Sequence, residues 1–116
     1  MKTGKVWGST EVKIATPMFE MHALTILPKH QCSLHKHNQK WNAFVVVSGR
    51  LFIDVLKNDY PLTDTTELGP GETTTVKPGE HHRFRTGDEP CIAYEFYYPE
   101  PLSEDIVRKD AGGAVE

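Results

Sequence analysis

Hydrophobic and polar positions alternate in short runs along this chain, and Gly, Pro, Asn or Asp breaks the pattern every few residues. The alternation has the period of 2 that marks a half-buried strand, and it recurs at the spacing of an all-β sandwich or barrel. Strands are predicted over residues 12–15, 18–27, 32–37, 41–48, 50–56, 72–76, 82–86 and 91–98. Between them lie Pro28-Lys29, Ser48-Gly49, Lys57-Asn58-Asp59, Gly69-Pro70-Gly71, Lys77-Pro78-Gly79 and Gly87-Asp88, each with turn chemistry. Residues 41–47 are apolar on both parities, which predicts a central strand covered on both faces. The run 91–98 is similar and aromatic, and the hydroxyls of Tyr94, Tyr97 and Tyr98 need partners there. Residues 63–67 are polar and carry no strand signal. Ser103 can cap one short helical turn over 103–108.

A chain of 116 residues has room for one compact domain of two β layers, set here at 1–110, with 111–116 a frayed tail lacking periodicity. The formal net charge is −3 with both signs interleaved, so no basic patch or stripe speaks for nucleic acid. No apolar run approaches the ~20 residues that span a bilayer, and Met1-Lys2-Thr3-Gly4 leads into polar sequence. No membrane partner is expected, and the cytoplasm is the expected compartment. Cys32 and Cys91 lie far apart without a CxxC pattern, which predicts two buried free thiols. A small barrel leaves edge strands open to a second copy, so a homodimer is a further expectation.

The strongest chemical signal is His35-Lys36-His37, followed 45 residues after His37 by His82 at the end of Lys77-Pro78-Gly79-Glu80-His81-His82. Residues i and i+2 of a strand share a face, so His35 and His37 project side by side. The Pro-Gly turn fixes where the strand carrying His82 begins. Three imidazoles suit one divalent ion, with Zn, Mn, Fe and Ni all compatible, and leave coordination positions open. Asn42 shares parity with Phe44 and Val46 and therefore faces inward, either as a weak ligand or as a hydrogen-bonding neighbour. Glu95 shares parity with Cys91 and Ala93 and is a candidate acid or base.

These residues resemble the cupin family. Its first motif runs Gly, five residues, HxH, three or four residues, Glu, six residues, Gly, and from HxH onward its spacing is matched by His35-x-His37, Asn42 and Gly49. Its second, Gly, five residues, Pro-x-Gly, two residues, His, three residues, Asn, is matched in spacing by Gly71, Lys77-Pro78-Gly79, His82 and Thr86, with Lys77 replacing the first proline and Thr86 the final Asn. The resemblance implies an all-β jelly-roll barrel holding one divalent metal on His35, His37 and His82. Asn42 stands where the family usually places its Glu ligand, so the ion would meet three neutral imidazoles and no protein anion. Such a centre carries about one more positive charge and favours anionic ligands.

Flanking segments narrow the comparison. Lys5-Val6-Trp7-Gly8-Ser9, Ser33-Leu34-His35-Lys36-His37, Val45-Val46-Val47-Ser48-Gly49, His82-Arg83 and Leu102-Ser103-Glu104-Asp105-Ile106-Val107-Arg108 are similar to the cupin domain of type II mannose-6-phosphate isomerases. That resemblance implies metal-dependent isomerisation or epimerisation of a sugar phosphate, with Arg83, Lys36 and Lys40 as candidates for the anionic group. It departs at the ligands, where His35 replaces a Gln, Asn42 the Glu, and Ala43-Phe44 a His-Trp pair. Two other readings stay open: a non-catalytic cupin binding a sugar or metabolite, and a three-histidine non-haem iron dioxygenase. All take a small-molecule ligand.

Overall fold

The computed structural model describes residues 2–57, 62–99, 109, 111, 112 and 114. Its strands are β1 (Lys2–Lys5), β2 (Gly8–Thr16), β3 (Phe19–Ile26), β4 (Lys40–Ser48), β5 (Leu51–Lys57), β6 (Leu62–Leu68), β7 (Thr73–Val76), β8 (His82–Arg85) and β9 (Cys91–Pro99). A six-stranded sheet runs in the order β1-β2-β3-β9-β4-β7, and a three-stranded sheet in the order β6-β5-β8. Every pairing is antiparallel. The expected helical turn over 103–108 lies outside the described residues.

Strand alternation builds the core. Leu24, Ile26, Phe44, Val46, Cys91 and Ala93 point inward from the larger sheet and meet Leu51, Ile53, Leu68 and Phe84 from the smaller one. Phe84 stands edge-on to Trp7 at 4.9 Å between ring centroids and to Phe44 at 6.2 Å. Each large apolar side chain buried this way contributes about 1.5–3 kcal/mol of transfer free energy. The strand 41–47 lies between β9 and β7 as expected of a central strand, but it is not covered on both faces: Val47 on its outer face is 48% exposed. Both cysteines are free and buried. The turn at Ser48-Gly49 requires its glycine, because Gly49 has φ 80° and a Cβ there would drive into the Pro90 carbonyl oxygen.

Two expectations about strands are corrected. Residues 32–37 form no continuous strand: β8 pairs with this stretch through isolated bridges at Gln31–Arg85 and His35–His82, with Cys32 hydrogen-bonded to Phe84 between them. Its exposed Ser33 and Leu34 have no sheet partner to bury against, so its contact with β8 is intermittent. Residues 63–67, passed over because they are polar, belong to β6, held by register with β5 from Leu51–Leu68 to Lys57–Leu62. An edge strand exposed on both faces needs no apolar alternation, and β6 is exposed from Leu62 to Glu67. β1, an exposed edge as well, escaped notice for the same reason.

Candidate metal centre

The Lys77-Pro78-Gly79 turn delivers His82 to the first position of β8, where it is 2% exposed. His35 is clamped opposite by a reciprocal backbone pair, with its N–H donating to the His82 carbonyl at 3.1 Å and the His82 N–H donating back at 2.7 Å. His37 is fixed by the Gly79 N–H, which donates to its carbonyl oxygen at 2.7 Å. The rings consequently converge, with centroids 4.6 Å apart for His35–His82, 5.1 Å for His35–His37 and 5.5 Å for His37–His82. One ligand nitrogen from each lies within 4.8 Å of the others, close enough for the group to hold a metal ion. The convergence expected of a strand pair survives the loss of the strand because two anchors replace it.

The hydrogen-bond pattern around these rings fits a metal. Nδ1 of His35 donates to the Ser33 carbonyl at 2.7 Å, and Nδ1 of His82 donates to the Glu80 carbonyl at 3.0 Å, which frees both Nε2 lone pairs. Nε2 of His37 is buried without a hydrogen-bond partner. His82 Nε2 lies 3.1 Å from Asn42 Oδ1, so this ring has an acceptor at both nitrogens. A neutral imidazole carries one N–H and can satisfy only one acceptor. Protonation would satisfy both, but burial holds the His82 pKa below its ordinary value against the opposing Glu80 carbonyl bond. A cation at Nε2 resolves the conflict. His37 is pushed down to about 4, by burial first and then by the charges of His35, Lys40 and His82, so it is a neutral donor at physiological pH.

Asn42 is 1% exposed and its orientation is determined. Nδ2 donates to Glu95 Oε2 and to the Phe96 carbonyl, each at 3.2 Å, which turns Oδ1 toward His82. The convergent ligand group therefore contains no carboxylate, and Asn42 links it to Glu95. Glu95 is 6% exposed, and burial raises its pKa against the hydrogen bonds from Tyr97 and Asn42. Burial, followed by the Glu95 charge, raises the Tyr97 phenol in turn.

Two cavities flank the imidazoles. An inner one of about 250 Å³ is walled by His35, His22, Cys32, Glu95 and Tyr97 among others. An outer cleft of about 550 Å³ is lined by His37, Lys36, Lys40, Phe19, Tyr97 and Tyr98 among others. Tyr97 stands in both walls, edge-on to His37 at 5.1 Å and to His22 at 5.4 Å. In the sequence Tyr97 reads only as a buried aromatic whose hydroxyl needs a partner, and His22 as a histidine without a partner at ligand spacing, although the parity that turns Glu95 inward also applies to Tyr97. Lys36 and Lys40 are brought to the cleft. Arg83 is not: it falls between inward-facing His82 and Phe84 and stands in register with Asp54 of β5 on the opposite face of the sheet, although the Asp54 ion pair is made with Arg85.

Two antiparallel sheets packed as a jelly roll, with a three-histidine cluster at one end, define a cupin. Residues 22–97 match the cupin domain, and the chain belongs to that family. Similar solved structures include CapF, a capsular polysaccharide assembling protein from Staphylococcus aureus, at 19% identity and TM-score 0.78, covering 86% of this chain and 29% of CapF. Oxalate decarboxylase from Lactobacillus farciminis, as a formate complex, aligns at 19% identity and TM-score 0.73 over 89% of this chain and 32% of its own. KdgF from Halomonas sp. aligns at 13% identity and TM-score 0.67 over 80% and 81%. The chain thus spans about a third of CapF and of the decarboxylase. No curated protein sequence matches it. Among the described residues no helix is long and apolar enough to cross a membrane.

Proposed function

We propose that this cupin holds one divalent metal ion on Nε2 of His35, His37 and His82 and moves a proton between adjacent carbons of a small oxygen-rich anion, as in isomerisation or epimerisation of a sugar phosphate. The observation that carries this reading is Glu95, a buried carboxyl with a raised pKa in the wall of a cavity it shares with His35. Once bound, the ion supplies Lewis acidity to a carbonyl or hydroxyl oxygen. Glu95 takes the proton from the hydroxyl-bearing carbon while its electron pair moves to the neighbouring carbonyl oxygen, and it returns that proton to the former carbonyl carbon as the hydroxyl proton passes to the other oxygen, so the carbonyl and hydroxyl exchange places. Tyr97 and Asn42 orient the carboxyl by donating to it. CapF and oxalate decarboxylase are named for oxygen-rich substrates, in keeping with this class.

The test is deuterium uptake from D₂O, followed by NMR across a panel of sugar phosphates with metal-loaded protein. Turnover or exchange with at least one member is expected, falling about 10²–10⁴-fold in Glu95→Gln. Absence of both across the panel overturns the catalytic reading, and binding without exchange would make the protein a binding module. The carboxylate-free donor set favours a second reading, a three-histidine iron dioxygenase. Oxygen uptake on adding Fe²⁺ and a candidate substrate would select it.

A further inference from the structure

We infer that the outer cleft, not the inner cavity, receives the body of the substrate, and that Lys36 and Lys40 hold its phosphate group. This inference rests on the catalytic reading for the direction of approach, but the phosphate site itself stands on the cleft's own residues. Pockets that enclose a whole small ligand measure about 300–1,000 Å³. The outer cleft, at about 550 Å³, falls within that range, whereas the inner cavity, at about 250 Å³, falls below it. His37 lies in the cleft wall, so a ligand seated there reaches the imidazole cluster directly. The inner cavity then serves the reacting carbons and Glu95.

Charge points the same way. Neither Lys36 nor Lys40 has a carboxylate partner among the described residues, a state they share with Lys2, Lys5, Lys77, Arg83 and Lys109; what sets these two apart is that both line the cleft beside His37. The Lys40 ammonium rests 4.3 Å from the centre of the Tyr97 ring, a weak cation–π contact that a phosphate oxygen can replace. The cleft's one described carboxylate, Glu20, is already engaged by His22 Nε2 at 3.1 Å. Asn38 and Gln39 add amide donors between the two lysines. Phe19, Tyr97 and Tyr98 supply ring faces for the apolar side of a sugar. Tyr97 stands in the wall of both cavities.

The experiment titrates inorganic phosphate into EDTA-treated, uniformly ¹⁵N-labelled protein and maps the amide shifts, so that no metal contributes. Shifts are expected at residues 36–40 and 97–98. The doubly substituted Lys36→Gln, Lys40→Gln protein should bind phosphate about five- to tenfold more weakly, whereas Arg83→Gln should bind as the parent does. Spectral dispersion confirms that each variant is folded. Shifts clustered at Arg83 and Arg85, unchanged affinity in the double variant, or no shifts at all would overturn the inference. Failure to bind metal in a separate titration would instead overturn the catalytic reading and leave the phosphate site standing.

Discussion

Asn42→Asp isolates the residue that distinguishes this centre. The substitution is isosteric, so it opens no cavity, yet it exchanges the Nδ2 donor for a carboxylate oxygen 3.2 Å from Glu95 Oε2 and 3.2 Å from the Phe96 carbonyl. Two hydrogen bonds become acceptor–acceptor contacts. With an effective dielectric of about 20, two carboxylate charges at that separation repel by about 5 kcal/mol. A proton shared by the pair, or taken up by His82 beside the new carboxylate, relieves part of this. A net loss of about 3–5 kcal/mol is expected at pH 8, a large share of the ~5–15 kcal/mol typical of a domain. At pH 5.5 proton uptake by the folded state should shrink it to about 1–2 kcal/mol, because a carboxyl pair with raised pKa regains stability as pH falls. Urea unfolding of EDTA-treated protein at the two pH values provides the comparison. A loss below 1 kcal/mol at pH 8, or the same loss at both, would refute the assigned amide orientation and its contact with Glu95.

Further outcomes follow from other parts of the fold. Burial alone would raise the Asp54 pKa, but hydrogen bonds from Arg85 and Thr65 outweigh it and hold the folded-state value low. That contribution is present above the ordinary aspartate pKa of about 3.9 and disappears as pH falls through the folded value. Asp54→Asn should therefore lower stability by about 0.5–1.5 kcal/mol at pH 7 and by nothing measurable near pH 2 in denaturant titrations. Gly49→Ala forces a side chain into positive φ and onto Pro90, and calorimetry should show a loss of about 2–4 kcal/mol. Added metal at 100 times its Kd should stabilise the protein by about 2.7 kcal/mol, seen as a Tm rise that EDTA reverses and that His82→Ala abolishes.

The sequence revealed the fold where alternation reported burial. β4 and β9 were readable because their inward positions are apolar and their turns carry Gly or Pro, whereas β1 and β6 were not, being exposed edges on which selection for apolar residues is weak. The histidines were visible as a spacing and the Pro78-Gly79 turn that holds His37 as a motif, but the reciprocal backbone clamp between His35 and His82 has no sequence signature. Parity turned Asn42 and Glu95 inward, but only coordinates show that one amide joins His82 to Glu95. Arg83 shows the limit of adjacency: one position beyond a buried histidine on a strand, it faces the other way. Tyr97 lies two residues past Glu95 on the same face, so the same parity argument would have placed it beside the site.

Metal stoichiometry tests the central claim most directly. Untagged protein, stripped with EDTA and titrated calorimetrically with Zn²⁺, Mn²⁺, Fe²⁺ and Ni²⁺, should take up one equivalent per chain of at least one ion. His35→Ala, His37→Ala and His82→Ala should each weaken that binding by at least about 100-fold. Uptake of none of these ions, or retention of full affinity when all three histidines are replaced together, would contradict the account.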